Sequence, residues 1–303
     1  MISNRKIGDL HKMQENHHKN ILEDSESKRK SETWFAKDTV DYWRHKRMRD
    51  VLLPLILFFP KSSWLTVGDG RYGTDANYLL EKGLHAHASD IQDDLLKIGK
   101  EKGFIGDFSK QNAELLSFQD NEFDFVYCKE SYHHFPRPAV ALYEMLRVAK
   151  IGVVLQEPKD NLFFETPLQG LFHYFKEFAK FILGRRNKKH AFEEAGNYVY
   201  TLSPRELQKY ALGINCRFIA HRTQQDCYKK GVEFEKTNDN SKLFRKIKRN
   251  ILFYEFLYKL GLVTSGIMTG IILKEIPNDE LIKKLESNGY KTEILSVNPY
   301  IQE

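Results

Sequence analysis

The sequence predicts an α/β protein built on a doubly wound parallel sheet. Short apolar segments alternate with helix-like segments between residues 61 and 158, as expected for βαβ units with right-handed crossovers. The first apolar segment enters a glycine-dense turn at residues 68–73, and the second ends at Asp90. An acidic residue about 20 positions after such a turn suits the ribose of an adenosine cofactor. The sequence therefore predicts a nucleoside-cofactor pocket.

Five strands are expected in this stretch, and they are interleaved with three helices. The strands are predicted at residues 64–68, 85–89, 108–112, 123–129 and 151–157, and the helices at residues 74–82, 92–102 and 138–149. Acidic side chains at the start of the second helix suit its positive end.

The N-terminal region divides into two parts. Residues 1–32 are polar and mixed in charge, so we expect a mobile or loosely helical segment. Residues 34–59 pass from aromatic and basic to apolar, which favours helices. We predict an N-terminal helical cap, within residues 1–60, beside the mouth of the pocket.

The alternation stops after the fifth strand, where residues 161–200 read as a helical insertion that forms an acceptor lid. Residues 171–183 are rich in Phe and Tyr and precede a basic run, Arg185, Arg186, Lys188 and Lys189. The core of the predicted cofactor domain is residues 61–160, and residues 201–303 are expected to complete the sheet with extra helices.

Several later segments are candidates for the remaining strands of that sheet. Ser203, Pro204 and Glu206 predict a capped helix start. The sequence leaves open which of the other segments complete the sheet. Strands are predicted at residues 216–228, 266–274 and 290–297, and helices at residues 242–260 and 278–287.

Composition indicates an ordinary globular chain. Its 303 residues are 41% hydrophobic and carry a net charge of +6, a modest excess that does not require nucleic acid as a partner. Cys128, Cys216 and Cys227 are widely separated, which argues against a disulfide framework or structural zinc. We expect a cytoplasmic protein, because no apolar run approaches the length of a membrane span.

Five sequence blocks together resemble the class I S-adenosylmethionine-dependent methyltransferases, specifically the type 11 group. The resemblance covers residues 63–158 and implies a Rossmann-like sheet. The blocks are Val67-Gly68-Asp69-Gly70, Asp90, Asn112-Ala113-Glu114-Leu115-Leu116-Ser117-Phe118, Phe123-Asp124-Phe125-Val126 with His133-His134-Phe135, and Leu142-Tyr143-Glu144-Met145-Leu146-Arg147-Val148.

The resemblance implies the cofactor S-adenosylmethionine and a set of residues that bind it. Val67, Gly68, Asp69 and Gly70 would hold its methionine end and ribose, and Asp90 would accept bonds from both ribose hydroxyls. Asn112 and Ala113 would meet the adenine, and Lys129 would line the methyl-donor side. Thr66 stands where the family has an acidic residue, and Asp69 is expected to compensate.

Plain structural roles compete with these binding roles. Gly68 and Gly70 also suit any tight strand-to-helix turn, Asp90 also suits a helix cap, and Asn112 suits a turn. For Asp90, the cap and the ribose contact are compatible.

Catalysis is expected just after the fourth strand, because ligands of open α/β sheets lie at the carboxyl ends of strands. His133 or His134 is the predicted general base for a small-molecule acceptor, with Glu130 as its orienting partner. The alternative is that these side chains only shape the pocket. No metal is predicted, because adjacent histidines should point apart and no third ligand is evident.

Two other functions use the same residues. A NAD-dependent oxidoreductase would share the glycine turn and Asp90 but leaves the third and fifth blocks unexplained. A noncatalytic cofactor-binding scaffold would keep the pocket without a productive acceptor site. Asn298-Pro299-Tyr300 resembles a motif of nucleic-acid methyltransferases but lies in the C-terminal tail, so a nucleic-acid substrate is disfavoured. Residues 171–190 suit peripheral membrane contact as well as packing or a lid.

Overall fold

The structure is a computed structural model that describes residues 8–16, 24–184, 192 and 198–300. Across these residues eight strands form one sheet in the order β3-β2-β1-β4-β5-β7-β6-β8. The strands are β1 Ser63–Val67, β2 His85–Asp90, β3 Asp107–Lys110, β4 Phe123–Lys129, β5 Ala149–Pro158, β6 Phe218–Gln224, β7 Ile267–Leu273 and β8 Lys291–Ile294.

Helices cover both faces and the N-terminal side of this sheet. We number the helical stretch at residues 8–16 as α1. The others are α2 Ser25–Glu32, α3 Val40–Arg49, α4 Leu53–Phe58, α5 Thr74–Leu80, α6 Asp94–Glu101, α7 Pro138–Val148, α8 Pro167–Ile182, α9 Pro204–Gly213, α10 Lys242–Lys259 and α11 Asp279–Ser287.

The first five strands are parallel, which confirms the α/β prediction. Strand β1 lies between β2 and β4, and β5 extends the sheet beyond β4. Strand β7 then enters antiparallel between β5 and β6, and β8 pairs antiparallel with β6. All three late strand predictions are therefore confirmed as strands, and their order follows from hydrogen-bond pairing that no local pattern encodes.

Alternate residues of the central strands face two different apolar layers. Trp64 and Phe125 point into the layer formed with α4, α5 and α11, whereas Leu65 and Val126 point into the layer formed with α7 and α9. This alternation is the strand period of two. Burying each large side chain contributes about 1.5–3 kcal/mol, so apolar packing on both faces stabilises the sheet and the positions of its strand ends.

The predicted start of α9 is confirmed. The Ser203 hydroxyl accepts a bond from the Glu206 backbone N–H, and the Glu206 side chain accepts one from the Ser203 backbone N–H. Pro204 occupies the first turn, where its missing N–H costs nothing. The reciprocal bonds fix where the chain re-enters regular structure after α8.

The N-terminal region packs on the late part of the chain. Val40 and Trp43 of α3 contact Phe244, Ile247 and Ile251 of α10 in a small apolar cluster.

The basic run Arg185, Arg186, Lys188 and Lys189 lies outside the described residues. In the described part of the chain, the helices are too short or too polar to cross a membrane.

Candidate cofactor-binding and catalytic site

A cavity of about 460 Å³ opens at the carboxyl ends of β1, β2 and β4. Small-molecule sites usually enclose about 300–1,000 Å³. Every residue that the sequence suggested for binding or catalysis lines this one cavity. They are Val67, Gly68, Asp69, Gly70, Asp90, Asn112, Ala113, Lys129, Glu130, His133 and His134.

The turn after β1 needs glycine at position 68 for two reasons. Gly68 has a φ of 75°, which is unfavourable for residues with a side chain. A Cβ placed there would lie 2.4 Å from the Ser131 Cβ. The Ser131 hydroxyl donates to the Gly68 carbonyl at 2.7 Å, so the turn is joined to the segment after β4.

The backbone N–H groups of this turn do not all face the cavity. Gly68 and Asp69 donate their N–H groups to the Ser89 carbonyl at 2.9 and 3.0 Å. Parallel pairing of β1 with β2 continues into the turn and uses these donors. The two N–H groups therefore position the turn against β2.

The Asp69 carboxylate stabilises the start of α5. It accepts bonds from the backbone N–H of Asp75 and Ala76 at 3.1 and 2.8 Å, and from the Thr66 hydroxyl at 2.9 Å. Burial and the adjacent Asp75 charge raise the pKa of Asp69 to about 8. Both carboxylate oxygens of Asp69 therefore have internal donors, and its expected compensation for Thr66 stays a prediction.

Asp75 beneath the turn has an ionic partner from the N-terminal helices. Its carboxylate pairs with the Arg49 Nε at 2.6 Å, and both side chains are less than a tenth exposed. Burial alone would raise the pKa of Asp75, but the Arg49 guanidinium and the Lys129 ammonium outweigh it and lower that pKa. Helix α3 thereby supports the cofactor side of the cavity.

Asp90 and Asn112 lie at neighbouring strand ends. Asp90 is 4% exposed and accepts a bond from the Gln92 N–H at 2.9 Å. The N-cap of α6 is Asp93 rather than Asp90, so the cap interpretation of Asp90 is wrong. Asn112 accepts a bond from the Glu114 N–H at 2.9 Å, so its turn role is confirmed while its side chain still lines the cavity.

A cluster of charged groups surrounds Lys129 at the end of β4. The Lys129 Nζ lies 2.7 Å from the Glu130 carboxylate and 2.9 Å from the His45 Nδ1, and the Arg71 guanidinium lies 2.8 Å from the His45 Nε2. Burial would raise the pKa of Glu130, but Lys129 and His45 lower it well below the ordinary value. Glu130 also has a φ of 50°, an unusual backbone conformation that clusters at functional sites.

The predicted role of Glu130 as the orienting partner of a histidine is wrong. The partner of His133 is Glu157, whose carboxylate lies 2.5 Å from the His133 Nδ1. Glu157 is fully buried and also accepts the backbone N–H groups of Ser131 and Tyr132 at 3.0 Å each. Since a carboxylate can only accept, the proton of this bond sits on Nδ1.

Glu157 was missed because it lies outside the block that contains His133. A usable signal existed, since Glu157 ends the strand predicted next after β4. No comparable sign in the sequence indicates that His45 belongs to the site. It lies about 80 residues before Lys129, and only the folded chain brings the two side chains together.

The two histidines do not point apart as predicted. Their ring centroids lie 4.1 Å from each other. The reason is that residues Tyr132–His134 form a single 3₁₀ turn, whereas opposite orientations belong to strands. Within the described residues, no cluster of three metal-binding side chains accompanies them.

Helix α1 contacts the open side of the cavity. His11 lies 3.5 Å from the Asn112 side-chain nitrogen and 3.2 Å from the Glu114 carboxylate. The Gln14 side chain donates to the His134 carbonyl. The N-terminal region, which the sequence predicts only as a mobile or loosely helical segment, therefore contributes directly to the wall of this site.

Residues 65–155 match the family described as methyltransferase domain. This range holds all eleven predicted site residues together with the strands that carry them. The match agrees with the class I methyltransferase domain that the sequence predicts. In the same sheet, β7 and β8 run antiparallel to the other strands. His45 and Glu157 lie outside the matched range.

Two curated proteins resemble part of this chain. One is a demethylmenaquinone methyltransferase from Renibacterium salmoninarum, 32% identical over 38% of this chain and 48% of its own length. The other is the ubiquinone/menaquinone biosynthesis C-methyltransferase UbiE from Shewanella pealeana, 37% identical over 21% of this chain and 28% of its own length. The chain thus spans less than half of the length of either relative.

Solved structures also resemble it. A SAM-dependent methyltransferase from Archaeoglobus fulgidus is 18% identical, with a TM-score of 0.47, over 76% of this chain and 94% of that one.

Proposed function

We propose that this chain transfers a methyl group from S-adenosylmethionine to a small-molecule acceptor. One observation carries the proposal. A single cavity is lined both by a proposed cofactor-binding residue set, at the ends of β1 and β2, and by His133, which follows β4 and is paired with the buried Glu157 of β5. Methyl transfer needs such an arrangement, because most of its acceleration comes from aligning donor and acceptor.

The cofactor side suits a nucleoside. Asp90 offers a carboxylate at the carboxyl end of β2, where ribose hydroxyls are bound in open α/β sheets. Asn112 and Ala113 lie beyond it and would hold the adenine. Gly68 and Gly70 leave the floor of the cavity without side chains. These residues fit S-adenosylmethionine, which supplies an activated methyl group when bound.

The opposite side suits proton removal from an acceptor. Glu157 fixes the proton of His133 on Nδ1, so a second proton that the ring accepts goes to Nε2. Glu157 also stabilises the positive charge that the ring acquires in doing so. His133 is 7% exposed, so bulk water has little access to the base.

The acceptor proposed is a small molecule with an aromatic or apolar body. Phe135 and Pro136, which directly follow the two histidines, and Trp34 line the same cavity and provide apolar contact surface. The named activities of the two curated relatives, methylation in menaquinone and ubiquinone synthesis, support this acceptor class. His133 is then needed for an acceptor whose carbon or oxygen loses a proton.

The proposal is tested with methyl-labelled S-adenosylmethionine and three cell-extract fractions: small molecules, proteins and nucleic acids. Wild-type protein should label the small-molecule fraction. Asp90→Ala and His133→Ala should each label it at least tenfold less. Asp94→Ala, which removes a half-exposed carboxylate from α6, is the matched control and should label like wild type.

Binding measurements separate the alternatives. Calorimetric titration should show binding of S-adenosylmethionine and no binding of NAD. Binding of NAD alone would contradict the proposal in favour of an oxidoreductase. Binding of S-adenosylmethionine without label in any fraction would favour a noncatalytic scaffold, and label in the nucleic-acid fraction would contradict the acceptor class.

A further inference from the structure

Helix α8 exposes an unusually large apolar surface. Gln169 and Gly170 are its buried residues, and both lie in the first turn. Phe181 is 79% exposed and Phe175 63%. A folded protein rarely leaves such a continuous apolar surface in water without a binding role. The exposed apolar side chains are Leu168, Leu171, Phe172, Tyr174, Phe175, Phe178, Phe181, Ile182 and Leu183.

The helix is anchored to the protein at its N-terminal end. The Thr166 hydroxyl donates to the Gly261 carbonyl at 2.9 Å, and the Gln169 side chain donates to the Val263 carbonyl at 3.0 Å. The Tyr258 hydroxyl donates to the Glu165 carboxylate at 2.9 Å. These bonds hold the start of α8 against the end of α10.

Helix α10 adds a second exposed apolar surface next to this anchor. Phe244, Ile247 and Ile251 are buried on its inner side, whereas its outer side in the C-terminal half is apolar and open. The exposed residues are Leu252, Phe253, Tyr254, Phe256 and Leu260. We call α8 and this half of α10 the apolar platform.

The N-terminal half of α10 supplies positive charge beside the platform. Residues 242–250 contain five basic residues and no acidic one. Lys242, Arg245, Lys246 and Arg249 are exposed. Basic side chains near an anionic bilayer are attracted to its surface. Two copies of this chain would bring the same positive charges together, which disfavours self-association through this surface.

We propose that the apolar platform docks the protein on an anionic lipid bilayer. A 16-residue helix is roughly 24 Å long, so α8 lies in the interface with its Phe, Tyr and Leu side chains among the acyl chains. The exposed Lys176 can extend to the headgroups, and the basic half of α10 binds them. Helix α8 follows the carboxyl end of β5, so the platform is at the same edge of the sheet as the cavity.

Co-sedimentation of the full chain with vesicles tests this surface without any methyl-transfer readout. Vesicles of phosphatidylcholine with one third phosphatidylserine should bind the wild type, whereas pure phosphatidylcholine should bind it several-fold less. The variant Phe175→Ser/Phe178→Ser/Phe181→Ser should lose at least tenfold in binding. Arg245→Glu/Arg249→Glu should lose several-fold, and added salt should remove the remaining lipid preference.

Two matched controls change exposed residues elsewhere. Leu57→Ser removes a side chain that is 64% exposed on α4, and Lys61→Glu/Lys283→Glu reverses two exposed charges; both should bind vesicles like wild type. Failure of the wild type to sediment with anionic vesicles would overturn the proposal. So would a concentration-dependent dimer that the triple Phe variant converts to monomer while vesicle binding is unchanged.

Discussion

The two sides of the cavity are built in different ways. The cofactor side consists of strand ends and the turns that follow them, from Val67 to Ala113. The opposite side joins side chains that are distant in sequence: His45 lies 2.9 Å from Lys129, and Glu157 lies 2.5 Å from His133. The first side is built from local motifs. The second is assembled by the fold, and in the proposed function it is the side that selects the acceptor.

The largest effect is expected on the opposite side. His133→Ala should lower turnover of the small-molecule acceptor by about 10²–10⁴-fold, the usual contribution of a general base. Glu157→Gln keeps an oxygen for the Ser131 and Tyr132 N–H groups but offers an amide to His133. It should lose less activity and should change the pH profile of the rate.

His134→Ala is the matched control for this prediction, since it removes the neighbouring ring from the same turn. Two results together would contradict the roles assigned to His133 and Glu157. In them, His134→Ala is as impaired as His133→Ala, and Glu157→Gln is fully active.

The stability of the cofactor side also depends on Arg49 of α3, which pairs with Asp75. Arg49→Met should lower the free energy of unfolding by about 3–5 kcal/mol, because it leaves the buried Asp75 carboxylate without its cation. Arg49→Met combined with Asp75→Asn should recover part of this loss. Chemical denaturation measures both, and an Arg49→Met variant within 1 kcal/mol of wild type, an effect of only about one surface ion pair, would contradict the account.

The next prediction concerns Gly68 in the turn after β1. Gly68→Ala should lower the free energy of unfolding by about 1–3 kcal/mol through the Ser131 clash, in addition to its backbone strain, and should weaken cofactor binding. Gly83→Ala is the matched control, since Gly83 has a φ of 80° with open space around it. Equal losses in the two variants would show that strain alone explains the need for glycine at position 68.

The smallest effect concerns a histidine far from both sides. Burial lowers the pKa of His221 in β6 to about 4. Between pH 6.5 and 4 the unfolded chain binds a proton that the folded chain does not, so stability falls as pH falls through this window. His221→Gln should flatten the slope by at most about 1.4 kcal/mol per pH unit. Denaturation at several pH values measures it, with exposed His85→Gln as the control.

The contrast between the two sides explains what the sequence could predict. Strands β1–β5 and the positions of the eight predicted cofactor residues around one cavity follow from hydrophobic periodicity, glycine spacing and family resemblance, all of which are local. The prediction of Glu130 as the orienting partner of His133 or His134 failed because adjacency in sequence is a poor guide to contacts after a tight turn. The position of β7 between β5 and β6 also needed the three-dimensional pairing.

The most direct test of the central claim is a titration of S-adenosylhomocysteine into wild type, Asp90→Ala and Glu157→Gln. If the cavity has a cofactor side and a separate catalytic side, Asp90→Ala should weaken affinity at least tenfold and Glu157→Gln should leave it within twofold of wild type. The reverse pattern, with intact affinity in Asp90→Ala and a large loss in Glu157→Gln, would contradict the account.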